Sequence, residues 1–160
     1  MFNRRWLVMM LIAVALSGAA LAQAKHQSGT HMHRFTVTAQ LNTARGPNAP
    51  TVGVETGSLA GSGALVERGK VTSHPTSTIY KFKGTGTDVY SGGTITSTVT
   101  GTLRVHADRS ASISGHGTYT GGSGSFRSAS GKYRFTGSLP APAVCAGRQL
   151  TVQFTGTIWY

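Results

Sequence analysis

Acidic residues are scarce in this chain, which has four aspartates and glutamates in 160 residues against fifteen lysines and arginines. From the sequence, all four acids, Glu55, Glu67, Asp88 and Asp108, are expected in or near loops, and none on an inward-facing strand position. The pattern therefore predicts no pair of carboxylates for general acid–base catalysis. The formal net charge of +11 instead favours anionic partners and disfavours self-association.

Cysteine is nearly absent, since Cys145 is the single one, and this excludes an intrachain disulfide. In an oxidising compartment an inert buried thiol is expected, with pairing between chains as the alternative. No nucleophile elbow is found, because Gly122-Ser-Gly-Ser has no strand-to-helix context. The histidines of the segment 25–34 have no acid or cysteine nearby, so no metal site and no cofactor are predicted.

A helical period is also missing beyond the first residues of the chain. Arg4 and Arg5 precede an apolar run from Trp6 to Leu16, and small residues with an A-x-A pattern follow. This arrangement predicts a signal peptide over 1–24, cleaved after Ala22 or Ala24, and export through the Sec pathway to the periplasm or the exterior. The apolar run is short for a spanning helix, although an uncleaved anchor is the alternative.

The remaining chain is rich in threonine, glycine and alternating apolar residues. We expect a flexible leader over 25–34 and one domain over 35–160, with 42–56 as a long loop and 69–75 as a connection. The clearest alternation runs from Gln149 to Tyr160, where every second residue is apolar or glycine. Several such runs separated by glycine-rich turns predict an all-β fold, a small antiparallel closed β-barrel of about eight strands.

The alternation also assigns the two faces of the barrel wall. Large aromatic residues fall on the inward parity and form a candidate cavity, which is either packed core or a pocket for a small ligand. Basic residues fall on the outward parity and form a candidate anion-binding surface. The inward set is Tyr119, Tyr133, Phe135, Phe154 and Tyr160, and the outward set is Arg104, His106, Lys132 and Arg134.

One segment carries a family resemblance. Gly121-Gly-Ser-Gly-Ser-Phe-Arg-Ser-Ala-Ser-Gly131 resembles the Gly-Gly-Thr-Gly-x-Phe-Arg-x-Ala-x-Gly signature of dirigent proteins and allene oxide cyclase-like barrels. The resemblance implies an eight-stranded, calycin-like antiparallel barrel with an apolar cavity, in which Phe126 closes one end. Dirigent proteins line that cavity partly with acids. Because none is predicted on an inward face here, the resemblance is carried over for the fold and not for the coupling activity.

These observations lead to three functional hypotheses. The first is a secreted or periplasmic binding or scaffolding module for a small hydrophobic ligand or for an anionic glycan or lipid surface, with no nucleic acid expected. The second is a non-metal cyclase or dirigent-type coupling protein that acts by pocket shape. The third is an eight-stranded outer-membrane barrel, suggested by the aromatic C-terminal residue and the alternation before it.

Overall fold

The protein folds as a closed antiparallel β-barrel of eight strands, which confirms the predicted fold class. The computed structural model describes residues 31–42, 50–141 and 148–160, so the predicted signal peptide and Cys145 lie outside the described residues. The strands are β1 (Met32–Asn42), β2 (Thr51–Gly57), β3 (Gly61–Thr76), β4 (Ile79–Tyr90), β5 (Gly93–Val105), β6 (Ala111–Gly122), β7 (Ser130–Leu139) and β8 (Gln149–Trp159), with a short 3-10 helix at Gly124–Phe126.

Each strand pairs with its neighbours in sequence, and β1 closes the barrel by pairing with β8 from Met32↔Trp159 to Asn42↔Gln149. Two predicted connecting segments are wrong. The expected loop over 42–56 contains most of β2, and the expected connection over 69–75 continues β3. Strand β1 also begins at Met32, within the stretch assigned to the leader. Among the described residues, no helix is long and apolar enough to cross a membrane.

Inward-facing glycines make room for aromatic rings from the neighbouring strands. A Cβ atom on Gly101 would lie 2.5 Å from Cζ of Phe82, and one on Gly115 would lie 2.5 Å from Cζ of Phe135. Gly101 and Gly115 lie opposite each other in regular register, and the register shift between β5 and β6 falls at Thr96/Ser97. These glycines let large rings fill a narrow barrel, where two facing side chains would collide.

The glycine-rich segment between β6 and β7 closes one end of the barrel. Gly124 and Gly131 have φ angles of 58° and 142°, where residues with a Cβ are disfavoured, which explains glycine at these positions. Phe126 is buried, with its ring centroid 5.7 Å from that of Tyr90 and 4.8 Å from that of Tyr160. The expectation that Phe126 closes a barrel end is confirmed.

Candidate functional site

Three carboxyl groups face the interior of the barrel, two of them buried and that of Glu67 half-buried. Glu55 on β2, Glu67 on β3 and Asp88 on β4 line one internal cavity, and we call them the carboxyl cluster. The relative exposure is 4% for Glu55 and 8% for Asp88. The prediction that no acid faces inward is therefore wrong. Glu67 and Asp88 share the parity of Leu65 and Tyr90, which are buried, so strand geometry alone turns these acids inward.

Aromatic and apolar side chains surround the carboxyl cluster on the other sides. Among the described residues, the side chains around this cavity include no lysine, arginine or histidine. The cavity has a volume of about 10 Å³, which is room for about one water molecule. In addition to the three acids of the cluster, the cavity is lined by Phe35, Val37, Leu59, Leu65, Tyr90, Tyr119, Tyr133 and Phe154.

One carboxylate oxygen of the cluster is left without a hydrogen-bond partner. The Oε1 atom of Glu55 is fully buried and is unpaired, although a hydrogen bond from the Tyr90 hydroxyl reaches the same carboxyl group. In contrast, the Tyr133 hydroxyl lies 3.0 Å from Oγ of Ser97, a buried polar residue. Buried polar atoms are normally paired, so the unpaired oxygen of Glu55 marks a point where the cavity wall can accept a hydrogen bond.

Burial raises the pKa of all three carboxyl groups of the cluster. Desolvation, followed by the charge of Glu55, raises the pKa of Glu67 to about 7. Desolvation, followed by the charges of Glu55 and Glu67, raises the pKa of Asp88 to about 8. Desolvation also raises the pKa of Glu55, against the opposing effect of the Tyr90 hydrogen bond. Burial therefore disfavours negative charge in the interior of the barrel.

The outer faces of the described barrel strands carry basic residues and no acidic ones. Three of the four acids of the chain face inward, and Asp108 lies in the turn between β5 and β6, where its carboxylate accepts hydrogen bonds from Ser110. Every lysine and arginine among the described residues is exposed. The outer faces of the strands hence combine cations with many threonine hydroxyls and hold no carboxylate.

Four basic side chains meet in one shallow groove on this wall. Arg34, His116, Lys132 and Arg134, which we call the cationic groove, come from β1, β6 and β7, and threonines of β6 and β8 lie between them. The strand register places His116 opposite Arg134, and places Thr157 between Lys132 and Arg34. Neighbouring strands lie about 4.8 Å apart, so the four adjacent strands β6, β7, β8 and β1 together span roughly 14 Å. This spread suits several anionic groups of one ligand.

The predicted anion-binding residues fall into separate places. Lys132 and Arg134 lie together in the cationic groove, whereas Arg104 is exposed on β5, opposite Ile79 and Ser112. His106 lies just after β5, with its Nε2 atom 3.0 Å from Oγ of Ser112. The structure does not bring these four residues into one site.

The predicted cavity residues are divided in the same way. Tyr119, Tyr133 and Phe154 line the cavity beside the carboxyl cluster. Phe135 is buried but does not line the cavity; its ring centroid lies 6.3 Å from that of Phe82 and 5.9 Å from that of Phe154. Tyr160 is half-buried at the barrel end, where it also stacks on His33 at 4.7 Å.

Sequence reasoning missed the carboxyl cluster and Arg34. Glu67 follows the buried Leu65 by two residues, and Asp88 precedes the buried Tyr90 by two. Strand alternation alone would therefore have predicted that both acids face inward. Arg34 was assigned to the leader, yet it shares a strand face with Thr36, as Lys132 does with Arg134. For Glu55 no such signal was available, because both inward neighbours on β2 are glycines and the apolar residues of β2 face outward.

The fold and these two sites define a small β-barrel, a class of structure compatible with ligand binding. No protein-family model, curated protein or solved structure matches the chain.

Proposed function

We propose that this protein is an exported barrel that binds an anionic polysaccharide of the cell envelope through the cationic groove. The single observation that carries the proposal is the separation of charge across the wall. Acids are enclosed or confined to one turn, while every described lysine and arginine is exposed. Because exposed like charges repel one another, such a surface gains from an anionic partner. The predicted signal peptide supports an envelope or exterior location.

The composition of the groove favours a glycan over a lipid surface. Apart from the buried Phe35 and Tyr133, its lining consists of lysine, arginine, one histidine, glycines and threonines. Proteins that associate with lipid surfaces usually bury apolar side chains among the acyl chains, and the groove offers none. Threonine hydroxyls can donate to and accept from sugar hydroxyls, while the cations pair with carboxylate or sulfate groups. The same polar, cationic wall disfavours an outer-membrane barrel, which needs an apolar outer band.

Replacing the cations of the groove is expected to weaken binding to a labelled linear anionic polysaccharide, such as dextran sulfate, by at least about tenfold. The test variant combines Arg34→Gln, Lys132→Gln and Arg134→Gln, and a tenfold loss corresponds to about 1.4 kcal/mol. Binding of the unmodified protein is expected to weaken as salt is added, because salt screens exposed charges. Fluorescence anisotropy at several salt concentrations measures both effects.

A matched control removes the same charge from another part of the wall. Arg68→Gln, Lys70→Gln and Lys83→Gln act on exposed residues of the β3–β4 hairpin and should weaken binding less than about threefold. Equal losses in the two triple variants would mean that net charge, and not the groove, binds the polymer. Stronger binding to phosphatidylglycerol vesicles than to the polysaccharide would mean that the partner is a lipid surface and not a glycan.

A dirigent-type coupling function is the second candidate, and one observation favours it. The carboxyl cluster faces inward, so the resemblance is no longer weakened by missing acids. However, pockets for small organic ligands measure about 300–1,000 Å³, whereas this cavity measures about 10 Å³. A hydrophobic substrate would therefore have to displace several rings of the core. A fluorescence change of an apolar probe on mixing with the purified protein would move this candidate ahead.

A further inference from the structure

The interior of the barrel carries a feature that anion binding outside does not use. Glu55, Glu67 and Asp88 converge on one cavity, and the buried Oε1 atom of Glu55 on its wall has no hydrogen-bond partner. Three acids enclosed without a cation are costly, because burial of a charge needs compensation. A structure that only needed a packed core could have used apolar residues in these positions.

We propose that the carboxyl cluster binds a small ammonium cation, such as a primary alkylammonium group, in exchange for a proton. The exchange is balanced: a protonated carboxyl group of the cluster releases H⁺ to solvent, and the carboxylate that results pairs with the entering R–NH₃⁺ group. No covalent bond other than the O–H bond breaks. This site is separate from the cationic groove, and its test does not depend on anion binding.

The chemistry of the cavity wall matches an ammonium group. Such a group has only N–H donors around its charge, and the cavity supplies carboxyl oxygens, among them the unpaired Oε1 of Glu55. Tyr90, Tyr119 and Tyr133 surround the cluster with aromatic rings, whose faces attract cations. For a metal ion the geometry is unsuitable, since no group of three or more His, Cys, Asp or Glu among the described residues could hold one.

The size of the cavity restricts the ligand. About 10 Å³ accommodates one group the size of a water molecule, so the cationic head enters and a short alkyl substituent at most can follow. Among the described residues that line the cavity, Leu59, in the turn between β2 and β3, is the one outside the strands. A quaternary ammonium ion is both too large and without N–H donors.

Charged and titratable groups around the site determine its pH dependence. Glu55 of β2, Glu67 of β3, Asp88 and Tyr90 of β4, Tyr119 of β6 and Tyr133 of β7 face the cavity. Burial raises the pKa of each tyrosine, so the three phenols remain neutral. With burial raising the pKa of Glu67 and Asp88 to about 7 and about 8, a cation competes with protons for the cluster, and binding strengthens as the pH rises from 5 to 8.

Thermal unfolding in methylammonium chloride tests the proposal. At pH 8, 100 mM methylammonium is expected to raise the Tm by several degrees more than the same concentration of tetramethylammonium chloride, because a ligand that binds only the folded state stabilises it. At pH 5 the two salts should differ by less than about one degree. Equal Tm values in the two salts at pH 8 would overturn the proposal and leave the cavity as a site for water only.

Two further measurements assign the effect to the cluster. Glu55→Gln, which is isosteric and cannot ionise, should remove the difference between the two salts, and persistence of the full difference in this variant would contradict the proposal. If Glu55→Gln does not fold, calorimetry of the unmodified protein at pH 6.5 in buffers of different ionisation enthalpy decides. We expect close to one proton released per bound methylammonium, whereas binding without proton release would contradict the exchange.

Discussion

The free energy of unfolding is expected to fall steeply as the pH rises from about 4.5 to about 8. Burial raises the pKa of Glu67 from 4.5 to about 7 and that of Asp88 from 3.8 to about 8. Between these limits the folded protein retains protons that the unfolded chain has released, so each rise in pH favours the unfolded chain. At about 1.4 kcal/mol per pH unit and group, the loss amounts to several kcal/mol. This is a large part of the 5–15 kcal/mol typical of a domain.

Asp88→Asn is expected to flatten this dependence. The amide is close in shape to the protonated carboxyl group but cannot ionise, so the variant should match the unmodified protein near pH 4.5 and exceed its stability at pH 8. Urea unfolding at intervals of one pH unit measures the effect. The control is Asp108→Asn. Since Ser110 hydrogen bonds lower the pKa of this exposed carboxyl, its contribution is lost only at more acidic pH. An Asp88→Asn variant with the original slope would contradict the enclosure of the acids.

Gly117→Ala is expected to destabilise the barrel by about 3 kcal/mol or more. A Cβ atom at this position would overlap the ring and hydroxyl of Tyr133, which is buried and lies beside the carboxyl cluster. The adjoining cavity of about 10 Å³ is too small to take the ring, so the ring must move and give up its 3.0 Å contact with Oγ of Ser97. Chemical denaturation gives the loss directly, and near-ultraviolet circular dichroism reports the altered tyrosine environment.

Gly69→Ala serves as the matched control for this change. Its Cβ would lie 3.4 Å from the nearest atom, the carbonyl oxygen of Lys83, and this variant should change stability by less than about 0.5 kcal/mol. Shortening the ring should relieve the overlap, so Tyr133→Leu is expected to cost less in the Gly117→Ala background than alone. Additive losses would mean that the glycine is required for a reason other than the Tyr133 ring.

The barrel architecture could be predicted from strands in which every second residue is apolar and faces the core. In β8, Leu150, Val152 and Phe154 are buried and the residues between them are exposed, as the alternation predicts. Strand β2 breaks this rule. Its inward positions hold Gly53, Glu55 and Gly57, whereas Val54 is 63% exposed, so the alternation of β2 is reversed. No local pattern marks such a strand. Pairing with β1 and β3 holds it in the sheet, and that is a tertiary effect.

The two sites differ in how far the sequence could reveal them. Lys132 and Arg134 were predicted on the outer face from the alternation of β7 alone, and both lie in the cationic groove. Their meeting with Arg34 depends on barrel closure between β1 and β8, which local periodicity does not specify. The carboxyl cluster was not predicted because Glu67 and Asp88 were expected in or near loops, whereas β3 and β4 extend through these residues.

The most direct test of anion binding by the cationic groove is an amide chemical-shift map of the ¹⁵N-labelled protein, titrated with a short sulfated oligosaccharide. We predict that the largest shifts fall on the neighbouring outward positions of β1, β6, β7 and β8, around Arg34, His116, Lys132 and Arg134. The shifts should reverse when salt is added. Shifts confined to amides beside Glu55 and Asp88, or spread evenly over all exposed lysines and arginines, would contradict binding in the groove.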